Sequence, residues 1–188
     1  MKSIIDFKDK KIDTKLTISI LLYSFVIAGI IGYIYEVIFY RFDKGEFINR
    51  GSTYGPWIPV YAVGTILIII GLYRFKSKPW LVVLLSAVIT FIVEYVTGWF
   101  FDKVAHNMLW NYSEEILNFG NINGYVCLRS VLLFTLGGVF VIYSMVPTLI
   151  KIAKKVNKKA FTIISIILFI LFMLDILIWG ILHYCNVI

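Results

Sequence analysis

The sequence predicts an all-α, polytopic membrane helix bundle with about five transmembrane helices. Of its 188 residues, 60% are hydrophobic and only 15% are charged, and the mean hydropathy is +0.88. A soluble domain of this length needs more charge to cover its surface, so that class is excluded. The apolar residues also occur in runs of about 17 to 26, which are long enough to cross a bilayer. We expect residues 1–188 to form one integral membrane domain without space for an attached ATPase.

Windows of about 19 residues separate the spans from polar connections. The first span is longer than the apolar core of a signal peptide and lacks a small-residue cleavage site, so we expect it to be retained. The third span begins after Lys78 and ends before Asp102, the fourth ends before Lys151, and the fifth begins after Lys159. The predicted spans are residues 16–40, 57–73, 80–101, 125–150 and 161–183.

The basic residues predict how the chain is oriented. Thirteen of them lie in the N-terminal segment and in the second and fourth connections, against four in the other two connections. Because cytoplasmic loops are enriched in Lys and Arg, we expect the N-terminus inside and the C-terminus outside, in the cell membrane. The same lysines favour contact with anionic lipid headgroups on the cytoplasmic side. They lack interleaved aromatic residues, so nucleic-acid binding is not expected.

Four ionisable side chains fall inside the spans: Glu36, Glu94, Arg129 and Asp175. A charge in lipid is costly unless it is paired or faces a polar cavity, so each is a candidate for a functional site. The predicted orientation puts all four in the outer half of the membrane. We therefore expect them to meet in a pocket that opens outward. The alternative is a structural role, in which Arg129 pairs with Glu36 or Glu94 to fasten helices.

Small and polar residues share the helical stripes of two of these acids. They recur at intervals of four residues, and such faces let helix backbones approach closely in lipid. We therefore expect both stripes to face the interior of the bundle. Because one arginine cannot neutralise three acids, we also expect at least one acid to be protonated near neutral pH. The stripes are Ala28, Gly32, Glu36 and Tyr40 in the first span, and Ser86, Thr90, Glu94 and Gly98 in the third.

The two predicted outer loops carry further candidates. Asn49 and Arg50 precede a turn rich in glycine and proline, where an arginine fork suits a carboxylate or a phosphate. The alternative is that Arg50 lies at the headgroups and Asn49 caps the turn. Trp110 and Tyr112 lie in the second loop, which is longer than a connector requires and suggests a lid over the pocket. Both are also natural interfacial anchors.

Metal and cofactor chemistry is not indicated. The two histidines and two cysteines lack any paired ligand spacing. The sequence contains no Walker motif, nucleophile elbow or dinucleotide fingerprint. We therefore expect neither a metal nor a cofactor.

A set of short motifs runs through the middle of the chain. It comprises Tyr35-Glu36, Asn49-Arg50-Gly51, Gly55-Pro56 with Pro59 and Tyr61, Glu94-Tyr95 with Gly98, Trp110 with Tyr112-Ser113, and Gly124 with Cys127-Leu128. In this set the chain resembles the ABC-transporter type IV (CmpB-like) membrane family, over about residues 32–149. The resemblance implies a permease role. It also implies that Glu36, Asn49, Arg50, Glu94, Trp110 and Tyr112 belong to one functional unit.

Three functions are compatible with these observations. The first is a transport component, a permease or substrate-binding membrane subunit that binds a small solute, with a homo-oligomer or a partner subunit completing the pathway. The second is a membrane-embedded enzyme that acts on a lipid or envelope intermediate at the outer leaflet, with carboxylates as acid and base. The third is an accessory membrane protein whose ion pairs are structural. The excess of acids within the spans favours the first.

Overall fold

The computed structural model describes residues 12–48 and 53–184. This part of the chain is helical and forms no strand, which confirms the all-α prediction. Its main helices are α1 (Thr14–Lys44), α2 (Pro59–Leu72), α3 (Pro79–Lys103), α4 (Leu128–Phe140), α5 (Val146–Lys155) and α6 (Lys158–Tyr184).

Four helical segments are long and apolar enough to cross a membrane, and a shorter fifth covers Pro59–Phe75. The four are Thr14–Lys44, Pro79–Lys103, Leu128–Lys155 and Lys158–Leu182. The third of these consists of α4 and α5 joined by a π-helical turn, Val141–Met145. A multi-pass membrane protein is thus established, whereas the orientation of its termini stays a prediction.

Local sequence explains where several helices begin and end. The Asp13 side chain accepts a hydrogen bond from Leu16 N at 2.9 Å and so caps α1. Gly45 ends α1 with a φ of 78°, a left-handed conformation that glycine adopts without strain. Cys127 is extended and precedes the first turn of α4, so this helix begins at Leu128 rather than at the predicted residue 125.

The described residues divide into two compact units, residues 12–48 and 53–66 with 145–184, and residues 67–144. The core of the first unit is built around Phe172 of α6, which is fully buried with Val26 and Ala62. The Phe172 ring stacks on Trp57 with 4.9 Å between ring centroids. A Cβ atom added to Gly29 would lie 2.6 Å from the Phe172 ring, so this glycine allows α1 to approach α6.

The second unit is built on the contact between α3 and α4. The predicted stripe of Ser86, Thr90, Glu94 and Gly98 is buried, which confirms that this face points inward. A Cβ atom added to Gly138 of α4 would lie 2.6 Å from Ser86 Oγ. Small residues on both helices therefore allow the close approach.

The close contact at Gly29 makes a testable prediction. We expect Gly29→Ala to lower the thermal unfolding midpoint, because the added methyl group clashes with a ring that cannot move freely, at a cost of about 1–3 kcal/mol. Gly64→Ala is the matched control, since no atom lies within 4 Å of a Cβ at that position. Thermal unfolding in detergent micelles measures both. Equal midpoints for the two variants would contradict the packing described for α1.

Candidate functional site

Glu94 lies on the buried stripe of α3 and is only 4% exposed. Both of its carboxylate oxygens accept hydrogen bonds from hydroxyl groups. The Tyr112 hydroxyl donates to Oε1 at 2.6 Å, and Ser130 Oγ donates to Oε2 at 2.7 Å. Tyr112 comes from the loop that follows α3, and Ser130 comes from the first turn of α4. Glu94 therefore connects two helices and a loop.

The loop of residues 104–127 is folded so that Tyr112 reaches α3. Tyr112 begins a 3₁₀ turn, Tyr112–Glu114, whose cap is the Asn111 side chain. The Tyr112 amide donates to the carbonyl of Gly124 at 2.9 Å, and Gly124 has a φ of 77°. The Trp110 indole N–H donates to the carbonyl of Tyr125 at 2.9 Å. Trp110 thus supports the loop, while Tyr112 contacts the acid directly.

Tyr125, near the end of the same loop, also attaches the loop to α3. Its ring packs against Gly98, one turn after Glu94, and its hydroxyl donates to the Asp102 carboxylate. That hydrogen bond is the main reason why the pKa of Tyr125 is raised. The phenol is therefore neutral at physiological pH and remains a donor.

Arg129 forms an ion pair with Glu115, with 2.5 Å between Nη2 and Oε2. The side chains of Arg129 and Glu115 are 16% and 4% exposed. The guanidinium carbon also lies 5.5 Å from the centroid of the Tyr112 ring. Glu36 and Glu94 were the partners predicted for Arg129 in a structural role. Glu115 was missed because it lies in a loop outside the predicted spans.

These residues form what we call the Glu94 cluster: Glu94, Tyr112, Glu115, Arg129 and Ser130. Glu94, Tyr112 and Arg129 were predicted as site residues from the sequence, whereas Glu115 and Ser130 were missed. The sequence does indicate a local role for Ser130, since a polar side chain in the first turn of a helix often bonds to the backbone of the capping residue. Here Cys127 N donates to Ser130 Oγ at 3.2 Å.

The first unit contains a different arrangement around Asp175 of α6. Its carboxylate accepts hydrogen bonds from Tyr54 N at 3.1 Å, from Gly55 N at 2.8 Å and from Trp57 Nε1 at 2.7 Å. Thr53 Oγ1 closes the same turn by donating to the carbonyl of Trp57 at 3.0 Å. The turn rich in glycine and proline that was predicted before the second span is present at residues 53–58.

Glu36 of α1 also has a partner in the first unit. Its Oε1 accepts a hydrogen bond from the Tyr61 hydroxyl at 3.1 Å. Tyr61 also packs against Gly32, one turn earlier on the predicted stripe of α1. Asn49 and Arg50 lie outside the described residues, so their predicted site beside this turn stays a prediction.

The shared pocket of four charges also stays a prediction. Glu36 and Asp175 belong to the first unit, and Glu94 and Arg129 belong to the second. Within residues 12–48 and 53–184, no group of three or more His, Cys, Asp or Glu side chains could hold a metal ion.

The apolar helices, one of which carries the buried carboxylate of Glu94, define a class, the multi-pass membrane proteins with an ionisable group inside an apolar helix. The chain belongs to the family described as "Putative ABC-transporter type IV", which it matches over residues 23–179. This match confirms the resemblance seen in the motifs. No curated protein and no solved structure matches the chain. The protein is therefore a transport-associated membrane protein.

The turn held by Asp175 yields a prediction. We expect Asp175→Asn to destabilise the protein by about 3 kcal/mol, because charge-assisted hydrogen bonds are lost and an amide N–H faces N–H donors. Hydrogen exchange should also become faster at the amides of Tyr54 and Gly55. Glu46→Gln, which removes an exposed acid of the same unit, is the control. Unchanged exchange in Asp175→Asn would show that the carboxylate does not hold the turn.

The ion pair of Arg129 and Glu115 yields a second prediction for this site. We expect Arg129→Gln and Glu115→Gln each to destabilise the protein by about 3 kcal/mol, and the double variant to cost much less than their sum. Unfolding free energies in mixed micelles complete this double-mutant cycle. The pair Lys103 and Asp102 is the control, since its side chains are 60% and 27% exposed and its coupling should stay below about 1 kcal/mol. Additive effects at Arg129 and Glu115 would contradict the assignment of a buried ion pair.

Proposed function

We propose that this protein is a permease or substrate-binding membrane subunit of the cell membrane, and that the Glu94 cluster binds its solute. The observation that carries the proposal is the almost complete burial of Glu94, at 4% exposure, in an apolar helix. An ionisable residue within a membrane helix is by default a candidate for a functional site. The family to which the chain belongs supports transport.

The origin of the groups in the Glu94 cluster supports binding. Tyr112 and Glu115 come from the loop between α3 and α4, whereas Glu94, Arg129 and Ser130 come from the helices. Loops open more easily than packed helices, because fewer buried contacts hold them. A solute can thus reach Glu94 if the loop moves, without any change in the packing of α3 against α4.

The charges of the cluster indicate which solute fits. It contains two carboxylates and one guanidinium group, so it has one acid in excess when all three are ionised. A carboxylate accepts hydrogen bonds and attracts positive charge. We propose a small polar solute with N–H or O–H donors, which would replace the hydroxyl donors now bonded to Glu94.

The remaining features of the proposal concern the assembly. The positive-inside distribution of lysines supports a cytoplasmic N-terminus and contact with anionic headgroups on that side. Four long apolar helices and a shorter fifth are few with which to line a continuous pore, so we propose that a second copy or a transporter partner subunit completes the pathway. Glu36 and Arg50 are further candidates for solute binding, and the proposal for the Glu94 cluster does not depend on them.

Native mass spectrometry tests the proposed function. The wild type, Glu94→Gln and Glu114→Gln are released from lipid nanodiscs, and the mass retained by each is recorded. We expect the wild type to retain a small polar molecule and Glu94→Gln to lose it, because the amide removes the negative charge and adds a donor. Glu114 is the matched control, an exposed acid of the same loop, and its variant should retain the molecule.

Two results would count against the proposal. A wild type that carries no small molecule after expression in its native host would contradict solute binding. A lipid held by the wild type and lost from Glu94→Gln would favour the membrane-embedded enzyme over the permease.

A further inference from the structure

We infer that Glu94 is a reversible proton-binding site, and that the Ser130 hydroxyl supplies a hydrogen bond to it in both protonation states. The proton site follows from the geometry of the Glu94 cluster. Its use in transport, as a coupled or competing ion, rests on the proposed function.

Ser130 Oγ lies within hydrogen-bond distance of two acceptors. Glu94 Oε2 is 2.7 Å away, and the carbonyl oxygen of Cys127 is 2.8 Å away. A serine hydroxyl has one proton to donate and two lone pairs with which it accepts. Ser130 can therefore donate to only one of these two oxygens at a time, and the protonation state of Glu94 decides which.

When Glu94 is ionised, Ser130 donates to Oε2. The carbonyl of Cys127 then keeps the hydrogen bond from the amide of Val131, with an N to O distance of 3.1 Å. Ser130 Oγ still accepts from the amide of Cys127. Each of these groups thus has a partner in the ionised state.

When Glu94 is protonated, the new O–H at Oε2 donates to Ser130 Oγ, and the Ser130 hydroxyl turns to donate to the carbonyl of Cys127. The Tyr112 hydroxyl continues to donate to Oε1 in both states. The proton comes from water and returns to it, and the only bond that forms or breaks at the site is the O–H bond of Glu94. No heavy atom has to move, because one hydroxyl rotation exchanges the two patterns.

The donors to Asp175 have no such freedom. All three described donors, Tyr54 N, Gly55 N and Trp57 Nε1, are N–H groups. Amide and indole nitrogens donate but do not accept, so a proton on Asp175 would find no acceptor among these three groups. The hydrogen-bond partners thus distinguish Asp175, whose described partners only donate, from Glu94, whose partner Ser130 can also accept.

The charged neighbours of Glu94 in the second unit oppose each other. Arg129 favours a carboxylate at Glu94 and Glu115 disfavours it, and the two form an ion pair. The other titratable side chains near α3 lie in the loop of residues 104–127, on α3 itself and just before its start. They are His106, Tyr112, Glu114, Tyr125 and Cys127 in the loop, Tyr95, Asp102 and Lys103 on α3, and Tyr73, Arg74, Lys76 and Lys78 before its start. Glu94 lies about 22 Å along the helix from Pro79, far from that start.

Infrared difference spectroscopy tests the proton site directly. The protein in lipid nanodiscs, free of added solute, is titrated with acid and base while the C=O stretch of protonated carboxyl groups is recorded. We expect the wild type to show a band that disappears as the pH rises, and Glu94→Gln to lack it. Asp175→Asn and Glu114→Gln are the controls, and both should retain the band.

Ser130→Ala tests the role of the hydroxyl and keeps the inference testable if Glu94→Gln does not fold. We expect the band to shift to higher wavenumber, because the acid loses its acceptor, and its midpoint to move by about one pH unit. Ser130→Thr, which keeps a hydroxyl group, should restore both values towards the wild type.

Three results would overturn the inference: no titrating band in the wild type, the same band in Glu94→Gln, or an unchanged band in Ser130→Ala. None of them depends on a retained solute. A titrating Glu94 in a protein that retains no molecule in native mass spectrometry would instead refute the proposed function and leave the proton site intact.

Discussion

The second unit is organised around a carboxylate inside an apolar helix. This carboxylate must be supplied with hydrogen bonds by the protein. A bilayer core contains no water that could do so, and an unsatisfied polar group there costs several kcal/mol. Glu94 obtains its bonds from Tyr112 and Ser130, two residues that are 18 positions apart in the sequence. Both the fold of the loop and the start of α4 follow from this requirement. The loop must bring a phenol to α3, and α4 must begin where its first turn can place a serine beside the acid.

The first unit meets the same requirement with different chemistry. Asp175 is far in sequence from the turn at residues 53–58, yet it accepts hydrogen bonds from two backbone amides and an indole in that turn. The same indole stacks on Phe172 in the apolar core. Trp57 thus makes both a polar contact, with Asp175, and an apolar contact, with Phe172. As in the second unit, an acid in a helix holds the conformation of a loop. The position of Trp57 thus serves both the packing of its ring on Phe172 and the hydrogen bond to Asp175.

Much of the fold could be predicted from the sequence, since hydropathy and helical periodicity are local properties. Both the helical class and the inward face of α3, from Ser86 to Gly98, are confirmed. Periodicity does not report which loop residue will reach a helix. Glu115 was therefore missed as the partner of Arg129, and the N–H groups that bind Asp175 lie 118 to 121 positions away from it. Similarly, a hydropathy window cannot detect that Cys127 is extended, which moves the start of α4 to Leu128.

The type of donor bonded to an acid in an apolar helix influences what that acid can do. N–H groups cannot accept, so a carboxylate bonded to them finds no acceptor among them for a proton and is suited to holding a turn. Hydroxyl groups donate and accept, and they can turn, so a carboxylate bonded to them can take up a proton or exchange one donor for another. Asp175 therefore suits the holding of a turn, and Glu94 suits a site whose occupant changes. Because a transport site must release what it binds, the carboxylate with hydroxyl partners is the better candidate for it, although both acids are ionisable groups within apolar helices.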